Sequence, residues 1–465
     1  MPSSSAPLND DRVTRRTNEL NPVPEKVSVK GMSDTDRLAA LFVESSRNTV
    51  LTWLLVAVLG AGLLGGGLLE RYEAVLLSAV AIAVIVAPVI AFRDPTMLPP
   101  WYFVALICLP ILWDAFVPRP LTTAIVPSLA LATLGLLLAV ELHRFTTLRL
   151  VPWFAVTLTV LFTLAMGGLL NILRWSADVL FGTTFLLDGR TQDAINAAVM
   201  IELVFVTFAG ILAGGLFYLY FRAADSRSDS AMVAPPVSGS NAADVDGVVL
   251  SDRLGFSVRR QTQLVRFMQI VLVVVLLYGV WTLQVPVATN AALALAITFI
   301  PAVLERDYHI AIEPGLALWV ASAVFFHALG TAGLYDAIAP YDHLTHTLSA
   351  TVVAAAGYAA IRAIHLHDSV VHLPRWAMFA FTLVFVLAMG VVWEILEFVV
   401  DQGALALGME PILAQHGIDD TIVDMLFNTV GALLVATWGT VYLTEVSESL
   451  ANELERRFDV GDAER

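Results

Sequence analysis

Twelve apolar runs, each close to the length of a membrane-crossing helix, leave this chain few folds to choose from. A hydrocarbon core about 30 Å thick takes about 20 residues of helix to cross. Inside it, only helices or closed barrels satisfy their own backbone groups. Six runs fall at residues 50–69, 74–92, 101–117, 121–140, 152–173 and 195–221. Six more fall at 264–284, 287–304, 315–333, 343–364, 376–400 and 421–443. The expected fold is therefore an all-α integral membrane protein of about 12 transmembrane helices. Composition agrees: 14% of residues are charged, against about a quarter in soluble proteins.

The polar stretches divide the chain. Residues 1–47 read as a disordered cytoplasmic tail, with no cleavable leader pattern, so the first run is expected to be an uncleaved span. A six-helix membrane unit is expected over 48–222, a flexible Ser/Asp/Gly-rich linker over 223–262, and a second six-helix unit over 263–445. An acidic cytoplasmic tail, 446–465, closes the chain. Arginine sets the orientation. With the N-terminus inside, the inner loops carry Arg93, Arg144, Arg222, Arg259, Arg260, Arg306 and Arg375, whereas the outer loops carry only Arg71, Arg119, Arg174 and Arg190. The positive-inside rule then predicts that both termini are cytoplasmic, and the expected location is the plasma membrane.

The net charge is −15, and only Lys26 and Lys30 are lysines. Such an acidic, lysine-poor surface suits a salt-rich cytoplasm and argues against nucleic-acid binding, which needs clustered Lys and Arg. Cys108 is the only cysteine, which excludes an intrachain disulfide and a cysteine-based zinc cluster.

The two halves echo each other. Residues 160–178 align with 383–401: Leu-Ala-Met-Gly and Ile-Leu fall in one register, and Trp153 stands opposite Trp376. Residues 87–94 similarly match 300–307. These echoes predict an internal duplication into two parallel six-helix repeats. Its chemistry is asymmetric: Asn171 stands where Glu394 is, Arg174 where Glu397 is, and only Asp178 matches Asp401.

That acidic stretch is the main functional signal. Glu394, Glu397 and Asp401 share an arc of about 60° on one helix, at a cost of about 2.5–3.5 kcal/mol for a carboxylate at a membrane helix centre. Asp342, His346 and Ser349 form a second stripe, and Asp420, Asp424, Asn428 and Gly431 a third. The expected topology brings all three to the outer membrane level, with His327 towards the outer end of the ninth span. Converging carboxylates in low dielectric need a bound cation or protons. Oxygen ligands with one or two imidazoles suit Mg²⁺, Mn²⁺ or Zn²⁺. Glu394 and Glu397 are the candidate catalytic groups; Asp342, His346, Asp401, Asp420 and Asp424 would bind a metal or protons, supported by His327 and Asn428. Capping of helix starts is the plainer reading for Asp342, Asp419 and Asp420, and an exposed helix end for Asp401.

Three motifs carry a resemblance: Tyr-Asp-His-Leu-Thr-His at 341–346, Trp-Glu-Ile-Leu-Glu-Phe at 393–398, and Asp-Thr-Ile-Val-Asp-Met-Leu-Phe-Asn-Thr-Val-Gly-Ala at 420–432. They resemble the YjdF family of membrane proteins, and the Asp-x-x-x-His and Asp-x-x-x-Asn-x-x-Gly-Ala elements are similar to VanZ-like proteins. The resemblance spans about residues 290–443 and implies that the family's polar positions fall on Asp342, His346, Glu394, Glu397, Asp420 and Asp424. The activity expected is an outer-facing metal or proton site acting on a lipid-linked or envelope substrate within the lipid bilayer. A secondary transporter of an ionic substrate, or a structural protein whose polar cluster locks helices, are the alternatives.

Overall fold

The computed structural model describes residues 46–68, 72–116, 125–145, 152–225, 257–308, 312, 314–338, 340–367, 374–413 and 415–442. The expected N-terminal tail, most of the linker and the acidic C-terminal tail lie outside them. The first half holds α1 (Ser46–Leu68), α2 (Tyr72–Phe92), α3 (Trp101–Phe116), α4 (Ile125–Phe145), α5 (Pro152–Phe181) and α6 (Gln192–Asp225). The second holds α7 (Val258–Trp281), α8 (Val285–Ile297), α9 (Ile300–Tyr308), α10 (Pro314–Leu329), α11 (Tyr341–His367), α12 (Arg375–Ala406) and α13 (Ile418–Tyr442).

Eleven segments among the described residues are long and apolar enough to cross a membrane, with α8 and α9 forming one of them. The third expected run, α3, covers 16 residues among those described, short of that length. Two other expected runs are broken. The eighth is interrupted at Thr298–Phe299, and the ninth ends in a wide turn at Gly330–Leu334 before a short turn at Tyr335–Ala337. Gly333 takes φ 124° there, a conformation that favours glycine. A side chain at Gly330 would collide with the Tyr335 ring, which folds back over it.

The two halves pack in the same order. In the first, α1 lies on α2 and α3, α3 on α4, and α4 and α5 on α6. In the second, α7 lies on α8 and α10, α10 on α11, and α11 and α12 on α13. The halves meet chiefly along α5 and α12. There Gly168 faces Val391, the residue aligned with it in sequence; a Cβ on Gly168 would lie 2.7 Å from Val391 Cγ2. In a bilayer, lipid tails are as apolar as leucine, so such close approaches of small residues supply much of the packing energy. The same device holds the first half, where Gly135 and Gly210 admit Thr163 between α4, α5 and α6. Exposed Phe267, Ile270, Val274 and Leu277 on α7 are an outward apolar face of the kind lipid covers.

The aligned helices α5 and α12 also end alike. Each is followed by a glycine with positive φ, Gly182 at 66° and Gly408 at 72°, as expected just past a helix C-terminus. Each places an aspartate near its end to collect the amides of the next loop. Asp178 accepts from the backbone N–H groups of Phe185, Leu186 and Leu187 at 2.7–2.9 Å and from the Thr183 hydroxyl at 2.6 Å. Asp401 accepts from Ile412 and Leu413 N–H at 2.8 Å and from Gln415 N–H at 3.1 Å. The helix α12 runs six residues past the expected end of its apolar run, which takes Asp401 out of water. It is 5% exposed.

Candidate functional site

Helices α10, α11, α12 and α13 bring the three polar stripes together. The closest approach is between α11 and α13, and a glycine permits it: a Cβ on Gly431 would stand 2.5 Å from the Thr347 carbonyl oxygen and 2.8 Å from Ala350 Cβ. Thr347 adds a hydrogen bond from its hydroxyl to the Phe427 carbonyl at 3.3 Å. With α11 and α13 this close, the Asp342–His346 stripe meets the Asp424 stripe directly.

At the meeting point, His346 Nε2 lies 3.6 Å from Asp342 Oδ1 and 3.5 Å from Asp424 Oδ2. Both separations exceed the 2.7–3.2 Å usual for an N–H···O bond. They come close instead to the edge of a tetrahedron of ligands about 2.0–2.1 Å from a central metal, roughly 3.3–3.4 Å. The same two carboxylates also meet His343: Asp342, His343 and Asp424 each offer one ligand atom, and these three atoms lie within 4.8 Å of one another, a set that leaves out His346. The His343 ring is held by stacking on Phe427, with centroids 4.3 Å apart and planes 5° from parallel. Asp424 and His346 are buried, whereas Asp342 is half-buried. His343 Nδ1 and Asp424 Oδ1 are buried without a hydrogen-bond partner.

The paired glutamates form the inner wall. Glu394 is fully buried and Glu397 is 5% exposed. Gln415 donates from Nε2 to Glu394 Oε2 at 3.0 Å, leaving Oε1 without a partner. Asp342 and Asp420 are the charges that act on Glu394; Glu394, Asp420 and Asp401 act on Glu397. Asp424 is in electrostatic reach of Asp342, Glu394, Glu397 and Asp420. The expected carboxylates therefore share one polar region, and the ion-pair partners they have among the described residues are histidines.

The remaining expected residues have more local duties. Asp401 spends both oxygens on loop amides, which leaves it little to offer a ligand. Asp420 accepts the His416 N–H at 3.0 Å and lies 3.9 Å from His416 Nδ1, at the rim. Asn428 is buried, faces His346, and has its Nδ2 in contact range of Gly390. His327 sits one layer out: its Nδ1 is 2.8 Å from the Tyr335 hydroxyl, which lies 3.3 Å from Thr345 Oγ1. Its ring also meets Trp393 edge-on at 6.4 Å. Tyr335 and His327 thus brace α11 and α12 rather than line the central position.

The positions aligned with the glutamates hold a different arrangement. Arg174 donates to Glu202 at 3.2 Å and to Asn171 Oδ1 at 3.2 Å, a neutralised pair where the second half concentrates negative charge.

Sequence reasoning missed His343, Gln415 and Asn196. His343 stands inside the Tyr-Asp-His-Leu-Thr-His motif but about 100° round the helix from Asp342, so periodicity assigned it elsewhere. Gln415 and Asn196 carry no pattern; only their contacts reveal them. No curated protein and no solved structure matches the chain. Residues 36–98 match the model of a domain of unknown function (DUF8268). The chain is a multi-pass membrane protein, and residues 264–445, which hold every member of the cluster, match the model of a family described as "Predicted membrane protein (DUF2238)".

Proposed function

We propose that the second half binds a divalent cation between Asp342, His343, His346 and Asp424, with Glu394 and Glu397 as acid–base groups beside it. The observation that carries this reading is the spacing of His346 Nε2 to two carboxylates, 3.6 and 3.5 Å, with His343 set separately against the same two carboxylates. Two imidazoles with two carboxylates suit Zn²⁺ or Mn²⁺ better than Mg²⁺, which prefers an all-oxygen shell. A cation there would activate water or hold a phosphate oxygen. The half-buried Asp342 and Asp420 at the rim support access from one membrane surface, and the arginine distribution supports that surface being the outer one. A lipid-linked or envelope substrate, meeting the site at the bilayer surface, fits this position.

The three motifs support membership of the YjdF family and a similarity to VanZ-like proteins. The shared packing order, the facing of Gly168 and Val391, and the matching roles of Asp178 and Asp401 support a duplication into parallel repeats. In that reading the first copy kept its packing and exchanged its acids for the Arg174–Glu202 pair.

A second reading is a secondary transporter, favoured by the interruption of α10 at Gly330–Leu334 next to the site, since broken helices line many transport sites. Two measurements separate them. Purified protein, stripped with chelator and titrated with Zn²⁺ or Mn²⁺, is expected to bind about one equivalent. His346→Gln and Asp424→Asn are each expected to weaken binding at least about tenfold. A folded wild-type protein that takes up neither metal defeats the cation site. Ion-gradient-driven uptake into vesicles that Glu394→Gln abolishes would favour transport.

A further inference from the structure

Every member of the cluster lies in the second half, yet the two halves are joined at its edge by a chain of side-chain hydrogen bonds. Asn196, in the second turn of α6, donates from Nδ2 to Gln415 Oε1 at 2.7 Å. Gln415 in turn donates to Glu394 Oε2 at 3.0 Å and to the Glu394 carbonyl at 3.2 Å. Thr421, whose hydroxyl also faces Glu394, gives its single proton to Asn196 Oδ1 at 3.1 Å. Both polar ends of Asn196 and both ends of Gln415 are therefore committed, and each commitment has a direction. An amide with its oxygen taken by Asn196 must present its NH₂ to Glu394. That fixes Oε2 as the accepting oxygen and leaves the buried Oε1 without a partner.

The loop that carries Gln415 is fixed independently. Asp401 holds the N–H groups of Ile412, Leu413 and Gln415, so the backbone on which the amide stands has little freedom. On the other side, Asp419 accepts from the Trp175 indole at 2.6 Å and from Gln192 Nε2 at 2.9 Å, and its own N–H reaches Gln192 Oε1 at 3.0 Å. Close contact between Gln192 and Gly417 leaves no room for a side chain at 417, where φ is 90°.

We infer that Gln415 is the positioning residue for Glu394, held in its orientation from the first half by Asn196, so that both halves build one site. This rests on the cation reading above. Gln415 touches no cation itself; it holds Glu394 by Oε2, which leaves the buried Oε1 without a hydrogen bond, and Asn196 prevents the amide from flipping. A flipped amide would put its oxygen against the carboxylate and turn Glu394 away. The first half is then a scaffold with a defined part in the site, not a vestige.

The test uses full-length purified protein loaded with Co²⁺ or Zn²⁺. Asn196→Leu removes both ends of the link, and Gln415→Met keeps the side-chain length without its polar ends. Glu394 stands beside the ligands, so each variant is expected to bind about one equivalent of metal as the wild-type protein does, and its shift in melting temperature is expected to be non-additive with that of Glu394→Gln. Additive shifts in both variants overturn the inference while leaving the cation site standing. If Asn196→Leu does not fold, Asn196→Asp keeps the acceptor for Thr421 and lacks only the donor to Gln415, with the same expected changes. If the wild-type protein binds no metal, the cation reading fails on its own. The link is then judged from melting temperatures of Asn196→Leu, Glu394→Gln and the double variant: non-additive shifts support it, and additive shifts overturn it.

Discussion

Gly431 is the most direct handle on the geometry of the cluster, because it sets the distance between α11 and α13. In Gly431→Ala the new Cβ would stand 2.5 Å from the Thr347 carbonyl oxygen, where an ordinary contact begins at 3.4 Å. The Ala350 Cβ, at 2.8 Å, blocks the alternative of a small local rotation. Both obstacles belong to the α11 backbone or its first side-chain atom, so neither can swing aside. The helices must part by about 0.9 Å. Overpacking of this kind costs about 1–3 kcal/mol. Carried along α13 to Asp424, the same displacement opens the 3.5 Å separation from His346 Nε2 to about 4.4 Å, beyond the few tenths of an ångström that ligand distances tolerate. Gly431→Ala is therefore expected to lower the melting temperature by several degrees and to weaken metal binding by about tenfold to a hundredfold. Melting can be followed with a thiol-reactive fluorogenic dye, since Cys108 is the only cysteine and is buried. Gly403→Ala is the control: nothing lies within 4 Å of the Cβ it would add, and alanine is the better helix former. A Gly431→Ala protein with wild-type melting and affinity within twofold of wild type would refute the claim that this contact spaces the ligands.

Two further substitutions test the frame around the site. Asp401→Asn and Asp178→Asn each replace a carboxylate that gathers loop amides with a group that can accept at only one atom, and each is expected to cost about 2–4 kcal/mol. The check is a lowered melting temperature with faster proteolysis at 407–417 or 182–191; unchanged values would remove the loop-anchoring role. Arg174→Gln leaves the 24% exposed Glu202 side chain without its partner and is expected to destabilise by up to about 3 kcal/mol, with the Arg174→Gln/Glu202→Gln pair recovering most of the loss. Equal melting of the single and double variants would show that the pair is not coupled.

Much of this was legible in the sequence because the governing physics is local. A helix crossing the bilayer needs a run of apolar residues, and that requirement marks each span without reference to its neighbours. The acidic face of Glu394 and Glu397 follows from helical period alone, and so does the pairing of Asp342 with His346. Hydropathy ends the span where polar residues begin, whereas the helix continues to Ala406 and Asp401 is buried beneath the loop whose amides it accepts. Helical period leaves His343 about 100° away from Asp342, off the stripe that Asp342 shares with His346. The His343 neighbour Phe427 belongs to α13, and a ring held by another helix need not lie on its own helix's polar stripe.

The sequence by itself therefore determined the all-helical membrane class, the position of most apolar segments, and the carboxylates that stand where lipid would penalise them. Tertiary structure alone decided the division of labour among them. It made Asp401 a loop anchor and Asp420 a rim residue, and it set both His343 and His346 against the carboxylates of Asp342 and Asp424. It also joined Asn196 to Glu394 through Gln415. The physical reason is range. Burial and helical period depend on residues a few positions apart, but hydrogen-bond partners and ligand spacing depend on helix separations of a fraction of an ångström, and one glycine, Gly431, sets the separation that matters most here.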